Sequence, residues 1–396
     1  MIAARLLDVL LVLTLLVFIG EGLRNGLARS LGAILGVVAG GAVAFLTIPL
    51  LAAWVPDPFW RVAVIVAVSL VLLFGGHALG ARIGRGTRGR DLDDGGPGFG
   101  SRVAGGLANG LVAALAFALV AGGVGSLGVP LFSQAITGSY VLRVIDAATP
   151  APIDVALARL RAAVLEEGLP VIGEALGGVV DSPGIPDVPT DTDPLTVAAR
   201  SVVRLGGTAY ACGQNQTGTG FVVAPDRVVT NAHVVAGVDQ PIVEAPNGQT
   251  LEGRIVYLDP VDDLAVVAVD GLDVAPLALS PLLAVGDRAV VEGYPYGGPF
   301  TRGAAQVLAV STEQIPDIHG ASRSPREIYT LAAVVQPGNS GGPLLATDGR
   351  VAGVVFARSA DDPELGYAMT TTELSPVATA APGLSAPISS GSCVRG

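Results

Sequence analysis

The chain has no lysine, only three histidines and two cysteines, and just 14% charged residues in 396. Its 23 basic residues are therefore all arginine, against 34 acidic ones, for a net charge of −11. An acidic chain without a basic patch argues against nucleic acid as a partner. So little charge, with a mean hydropathy of +0.60, excludes a wholly soluble globule and implies a chain that lies partly in a membrane. At this length two or three domains are expected.

The apolar residues come in long runs. Ile2–Ile19, Leu31–Trp54, Trp60–Leu79 and Val103–Leu127 are each near the roughly 20 residues that cross a bilayer as a helix. The first run holds Arg5 but has no small-residue cleavage site followed by a polar chain, so it reads as an uncleaved span. Arginines set the orientation. Arg24 and Arg29 lie after the first run, and Arg82, Arg85, Arg88, Arg90 and Arg102 after the third, whereas Val55–Phe59 has none. Loops one and three are then cytoplasmic, and both termini are extracytoplasmic. Gly32, Gly36, Gly40 and Gly41, with Gly105, Gly106 and Gly110, are spaced for close helix packing. Asp8 and His77 lie near span ends, where a structural role is favoured over a functional one.

Residues 133–197 join this part, residues 1–132, to the rest. Ile153–Glu167 spaces Val155, Leu157, Leu160, Val164 and Leu165 as an amphipathic helix, lying on the membrane surface or on the following domain. Val180–Pro194 is dense in proline and aspartate and reads as an extended tether, a site for proteolytic nicking between 181 and 197.

From Ala198 short apolar runs alternate with Gly, Pro and Asp turns, the pattern of a β-barrel domain over 198–396. Strands are expected at Val202–Leu205, Gly220–Val223, Arg227–Thr230, Gly253–Tyr257, Leu264–Val269, Ala289–Tyr294, Ala304–Val310 and Val351–Phe356. The turn Pro337-Gly338-Asn339-Ser340-Gly341-Gly342-Pro343 sets a hydroxyl between glycines that let the backbone turn tightly. The N–H groups of Gly338 and Ser340 can then point at one spot and bind an oxyanion. A serine needs a base, and the base an orienting acid. His233 closes a buried run, and Asp263 directly precedes another, with Asp262 as competitor.

The stretches TNAHVV (230–235), DDLAVV (262–267) and GNSGGPL (338–344), with the hairpin Thr217–Val223, resemble the chymotrypsin-like HtrA/Deg serine proteases over about residues 198–375. Together with the membrane half, which resembles the CvpA-like (colicin V production) proteins, the chain is similar to the MarP family, membrane-bound acid-resistance periplasmic serine proteases of actinobacteria. The resemblance implies a multi-domain fold: an N-terminal all-α transmembrane four-helix bundle and a C-terminal all-β chymotrypsin-like double β-barrel. It implies a serine endopeptidase with His233, Asp263 and Ser340 as triad, the motif selecting Asp263 as the acid. Gly338, Asn339 and Ser340 would form the oxyanion hole, Asn339 mainly holding the turn.

Cys212 and Cys393 bracket the domain and read as a disulfide, which the family also has; two separate buried thiols are the alternative. The pair would close a loop of about 180 residues, worth about 5 kcal/mol in the chain-entropy account. No residues remain for a PDZ domain, and the tail Thr371–Gly396 is expected to wrap back so that Cys393 reaches Cys212. Val334, Val355, Phe356 and Ala357, followed by Arg358, are expected to line the specificity pocket. Without an acid at its base, apolar or small residues are favoured there, and the loop Ile315–Glu327 is placed to reshape it. Expected partners are protein or peptide substrates, cell-wall enzymes among them, and the bilayer through four helices. No cofactor or metal is expected. The competing reading is a membrane scaffold or transport-like protein whose β-barrel only binds partners. Because His233 acts as a base only when neutral, activity is expected to fall in acid.

Overall fold

A computed structural model describes residues 2–54, 64, 68, 71–72, 75–84, 98–125, 135–136, 138–150, 152–153, 156–159, 171–172, 183–209 and 214–394. The chain forms two compact units, one of residues 5–118 and one of residues 119–396 with the first four.

The first unit is helical. Helix α1 spans Ile2–Trp54 and α2 Phe99–Gly125, the latter running on into the second unit. A helix satisfies every backbone polar group within itself, as a lipid-facing segment must. Among the described residues, Ala4–Gly41 and Phe99–Ala118 are long and apolar enough to cross a membrane. Leu6, Leu10, Val17 and Leu35 stand 61–67% exposed, which suits a hydrocarbon surround. The break expected around Arg24 and Arg29 is a kink rather than a longer loop: two helices meet at Gly26, whose φ of 71° leaves the helical region. Glycine makes that break at no steric cost. The expected third span and the arginines from Arg85 to Arg90 lie largely outside the described residues.

Glycine faces glycine in this unit. A Cβ on Gly32 or Gly36 would strike the backbone of Gly80 or Gly76, and one on Gly22 the backbone of Gly105. Gly105 bears out the spacing read from the sequence. The partners at 76 and 80 were not legible in it.

The second unit begins, after its part of α2, with α3 (Tyr140–Ala148), capped by Ser139, and a two-residue strand, β1 (Val171–Ile172). A six-residue helix, α4 (Asp193–Ala198), leads into strands β2 (Val202–Ala209), β3 (Gln214–Ala224) and β4 (Arg227–Thr230), then one helical turn, α5 (Ala232–Val235). The strands β5 (Ile242–Glu244), β6 (Thr250–Glu252), β7 (Arg254–Asp259) and β8 (Leu264–Ala268) complete the first sheet, in order β6-β5-β2-β3-β4-β8-β7. The second sheet takes β9 (Arg288–Gly293), β10 (Thr301–Pro316), β11 (Arg323–Ala332), β12 (Pro343–Ala346), β13 (Val351–Ser359) and β14 (Leu365–Thr370). Its order is β1-β13-β12-β9-β10-β11-β14, and β13 also pairs with β14, so six strands close a ring. Helix α6 (Thr371–Ala380) follows.

Three apolar clusters hold this together. Val203, Leu205, Val222, Val228 and Val267 fill the first sheet, and Val291, Val307, Tyr329, Leu331 and Val355 the second. The third mixes Phe221, Val229, Leu264 and Val266 of the first sheet with Val290, Ile328, Leu345 and Phe356 of the second. Alternate residues of one strand thus serve different cores, as a two-residue period requires: Val291 packs inside its own sheet, Val290 between sheets.

Two expectations change. The loop Ile315–Glu327 is mostly strand: β10 and β11 pair from Pro316↔Arg323 onward, leaving a tight turn. The strand expected over Ala304–Val310 runs on through Ser311–Gln314, whose exposure alternates along β10. The Asp317 carboxylate accepts from the N–H groups of His319, Ala321 and Ser322 and from Ser322 Oγ, which holds it well below the usual carboxylate range. The described part of the tether, residues 183–192, is irregular and not free, because Val188 is buried in the shared core. The helix begun at Ile153 lies mostly outside the described residues. Where it is described, it sits on the β unit: Ala158 is buried and Arg159 lies over the Tyr296 ring. The sequence also gave no sign of β1, which pairs in parallel with Arg358 and Ser359.

Candidate active site

Strand β4 ends at Thr230, and Asn231 opens the turn that carries His233. The imidazole is 8% exposed and the Asp263 carboxylate is buried. His233 Nδ1 lies 3.0 Å from Asp263 Oδ1 and 2.8 Å from Oδ2, and the His233 backbone N–H donates to Oδ1 at 2.9 Å. Asn231 Nδ2 donates to the Asp263 carbonyl at 2.9 Å. The carboxylate facing the imidazole is thus that of Asp263. Asp262 accepts instead from Ser324 Oγ at 3.5 Å. Asp263 holds φ at 57°, a left-handed conformation of the order of 1 kcal/mol above the ordinary one.

Ser340 stands in the loop between β11 and β12. Gly338 and Gly341 have φ of 92° and 80°. A Cβ on Gly338 would strike the Tyr294 carbonyl and the Tyr296 nitrogen, and one on Gly341 would strike Thr230 Oγ1 and the Thr219 carbonyl. The N–H groups of Asn339, Gly341 and Gly342 donate to Gln336, Val355 and Asn339 carbonyls at 2.8–3.0 Å. Those of Gly338 and Ser340 donate to nothing among the described residues. Ser340 Oγ, His233 Nε2 and Asn339 Oδ1 are likewise buried without a hydrogen-bond partner there. Buried polar atoms are normally paired; others in the chain are not, but here a hydroxyl, an acid-oriented imidazole nitrogen and two N–H groups are the kinds of group that acyl transfer uses.

Thr219, which the sequence did not single out, fastens this loop to the first sheet. Its N–H donates to the Ser340 carbonyl at 2.9 Å and its hydroxyl to the Gly338 carbonyl at 2.6 Å, while accepting from Tyr294 N–H at 3.0 Å. Thr230 Oγ1 donates to the Thr219 carbonyl at 2.7 Å. Its neighbour Gly218 has no room for a Cβ beside Val234 and the Ser340 carbonyl. The expected pocket residues are spread out. Val334 is 43% exposed, Val355 points into the second sheet's own core, Phe356 packs between the sheets and Ala357 is buried beside it. Cys393 Sγ lies where a Gly237 side chain would begin, next to Ala209. Cys212 is outside the described residues.

An acid-oriented imidazole, a serine among glycines and two unengaged N–H groups, held between two all-β sheets, define a serine peptidase of the trypsin-like class. Residues 218–354 match the family model for the trypsin-like peptidase domain, and residues 7–150 that for colicin V production protein. Serine protease Rv3671c of Mycobacterium tuberculosis is 37% identical over 269 residues, 67% of this chain and 67% of that one. The putative serine protease HhoA of Synechocystis is 38% identical over 161 residues, 38% of this chain and 39% of its own. The crystal structure of the active form of the M. tuberculosis Rv3671c protease aligns with a TM-score of 0.51 at 37% identity, covering 56% of this chain and all 100% of that one. The chain belongs to the MarP-type family of Rv3671c: a serine endopeptidase behind an apolar helical region that anchors it to a membrane.

Proposed function

We propose that Ser340 is the nucleophile, His233 the general base and Asp263 the orienting acid of peptide-bond hydrolysis. Ser340 Oγ attacks the scissile carbonyl and gives its proton to His233 Nε2. Asp263 holds the tautomer and offsets the charge of the imidazolium. The N–H groups of Gly338 and Ser340 receive the oxyanion, and Asn339 keeps the turn. The observation that carries this is a set of unengaged groups: Ser340 Oγ and the N–H groups of Gly338 and Ser340 on the one loop, and Nε2 of the imidazole that Asp263 orients. A fluorophosphonate should label the wild type and not Ser340→Ala, and the variant should lose about a million-fold in turnover. Equal labelling of both would reject the assignment.

The same reading extends to the rest of the chain: a 1–132 anchor, a 133–197 linker and a 198–396 protease. The anchor crosses the membrane four times, with both termini and the protease outside. The two sheets close as a double β-barrel. Cys393 bonds Cys212, a pairing supported by there being no free cysteine among the described residues and by the tail's course past Gly237 to the neighbourhood of Ala209. The substrates are proteins or peptides, cell-wall enzymes among them, cut in envelope or acid stress. Val334, Val355, Phe356 and Ala357 belong to the wall that sets their preference. Self-cleavage falls in the 181–197 tether, whose described residues up to Pro194, on both sides of buried Val188, are exposed or half-buried. Thiol labelling from the outer face of intact cells after reduction tests the topology; labelling only from the inside would overturn it.

A further inference from the structure

Arg326 is 1% exposed and among the largest fully buried side chains. Burying a guanidinium is expensive unless charge answers it. Yet among the described residues it makes no ion pair. One nitrogen donates to the Pro316 carbonyl at 2.5 Å, Nε has no partner, and Cζ lies 5.7 Å from the centre of the Phe356 ring. The side chain therefore sits at the margin of the core that the two sheets share, above Phe356.

What faces it is the loop that presents the acid. Burial pushes the guanidinium below its ordinary range, and the charges that oppose this are those of Asp263, Asp262 and Asp259, which lie within five residues, and of Glu373 on α6. Burial and the Asp259 charge push the Asp262 carboxyl up; Arg326 and Ser324 pull it down. The β10–β11 hairpin also grips this loop through its backbone. Ile318 N–H donates to the Pro260 carbonyl at 3.0 Å, and Ser324 Oγ to that of Val261 at 3.4 Å. Asp263 keeps its left-handed φ of 57° only because something holds it there, since such backbone persists where its surroundings over-determine it.

We propose that Arg326 is a positioning residue for the triad acid: from the second sheet it supplies the countercharge that holds the aspartate loop of the first sheet, and so fixes how Asp263 meets His233. This rests on the triad reading above. Phe356 has a second role in it, as the platform beneath the cation. It is the charge set against the aspartate loop, not the Phe356 contact within the second sheet, that ties the two sheets at the acid side of the site, as Thr219 does at the nucleophile side.

The test is the rate at which a fluorophosphonate labels Ser340 in the full-length protein in detergent, from about pH 5 to pH 8. Wild type, Arg326→Met and Arg326→Lys are each compared alone and with Asp263→Asn, alongside thermal midpoints. Arg326→Met should slow labelling by about tenfold or more and move its acid limb to higher pH, and lysine should restore most of both. In the Asp263→Asn background the methionine should add nothing, because residues that act through one another are not additive. A folded methionine variant with the wild-type rate and pH profile, or an undiminished effect in that background, overturns the proposal. If the methionine variant shows no cooperative unfolding, lysine decides. Labelling within about threefold of wild type at every pH supports the countercharge, and a tenfold loss throughout rejects it. Wild-type labelling that survives Ser340→Ala would remove the triad itself, and the proposal with it.

Discussion

The two halves of the site are built on opposite plans. On the first sheet, His233 and Asp263 are joined by three hydrogen bonds of 2.8–3.0 Å, and Asn231 adds a fourth to the Asp263 carbonyl. All come from residues 231–263 of one sheet. On the second sheet, the Ser340 loop is shaped by two left-handed glycines and by contacts from elsewhere: Thr219, Tyr294 and Tyr296. Its own reactive atoms are left unbonded. One half is oriented by its partner; the other is held rigid so that its donors stay available. A proton acceptor needs a fixed tautomer, whereas an oxyanion site needs donors with nothing else to bond.

The comparison is broken most severely at the acid. Asp263→Asn should lower turnover by about ten-thousand-fold with the fold intact, because the amide favours the wrong tautomer. Asp262→Asn, which faces Ser324, should stay within about threefold of wild type. Steady-state turnover of both, with thermal midpoints, checks this, and an equal loss in the two would mean that the acid is misplaced. On the nucleophile side Gly341→Ala adds a Cβ against Thr230 and Thr219 at φ 80°. It should cost about 3 kcal/mol of stability and most of the labelling by fluorophosphonate. Urea unfolding at the wild-type midpoint would show that the loop yields where it is described as rigid.

Thr219→Val removes the clasp while keeping the shape. It leaves Tyr294 N–H and the Gly338 carbonyl without their partner, a loss of about 1–3 kcal/mol. The larger share should appear as slower acylation, with the His233–Asp263 pair untouched. A variant that is slow only through a changed pH profile would assign Thr219 to the wrong half.

The effect furthest from the chemistry, confined to the pH dependence of stability, concerns Glu292, directly behind the loop. Its side chain is fully buried, Oε1 takes a bond from Arg302 Nε at 3.1 Å, and Oε2 has no partner. Burial, only partly offset by Arg302, pushes the carboxyl up from 4.5 to about 7. Folding therefore favours the protonated form. That stability is complete below about pH 4.5 and lost as pH rises through about 7, up to about 3 kcal/mol in all. The second sheet should thus be more stable in acid, and Glu292→Gln should flatten the thermal midpoint between those values. A slope unchanged in the glutamine variant would locate the titrating group elsewhere.

Local signals made some of this legible. The histidine, the acid and the serine each sit in a short run whose residue types encode the turn that holds them. Glycines at 338 and 341 are needed because the backbone there is left-handed. Strand positions follow from alternation and from Gly, Pro and Asp breaks. What was not legible depends on distance along the chain. Nothing near Arg326 announces that it is buried, and Ile315–Glu327 was expected as a loop where consecutive β10 and β11 pair as a hairpin. Thr219 is one hydroxyl in a glycine-rich stretch until the loop, about 120 residues on, folds over it. Gly76 and Gly80 acquire meaning only opposite Gly36 and Gly32.

The tail that follows α6 does more than carry a cysteine. Strand β7 ends the first sheet, and Ile388 N–H donates to its Ile255 carbonyl at 2.9 Å, while Gly237 N–H is taken up by Ser390. An outer strand left bare offers its peptide groups to any neighbouring chain. Shortening the chain before residue 388 would uncover such a border, and the peptidase would then be prone to clump with copies of itself, whatever the state of its catalytic residues.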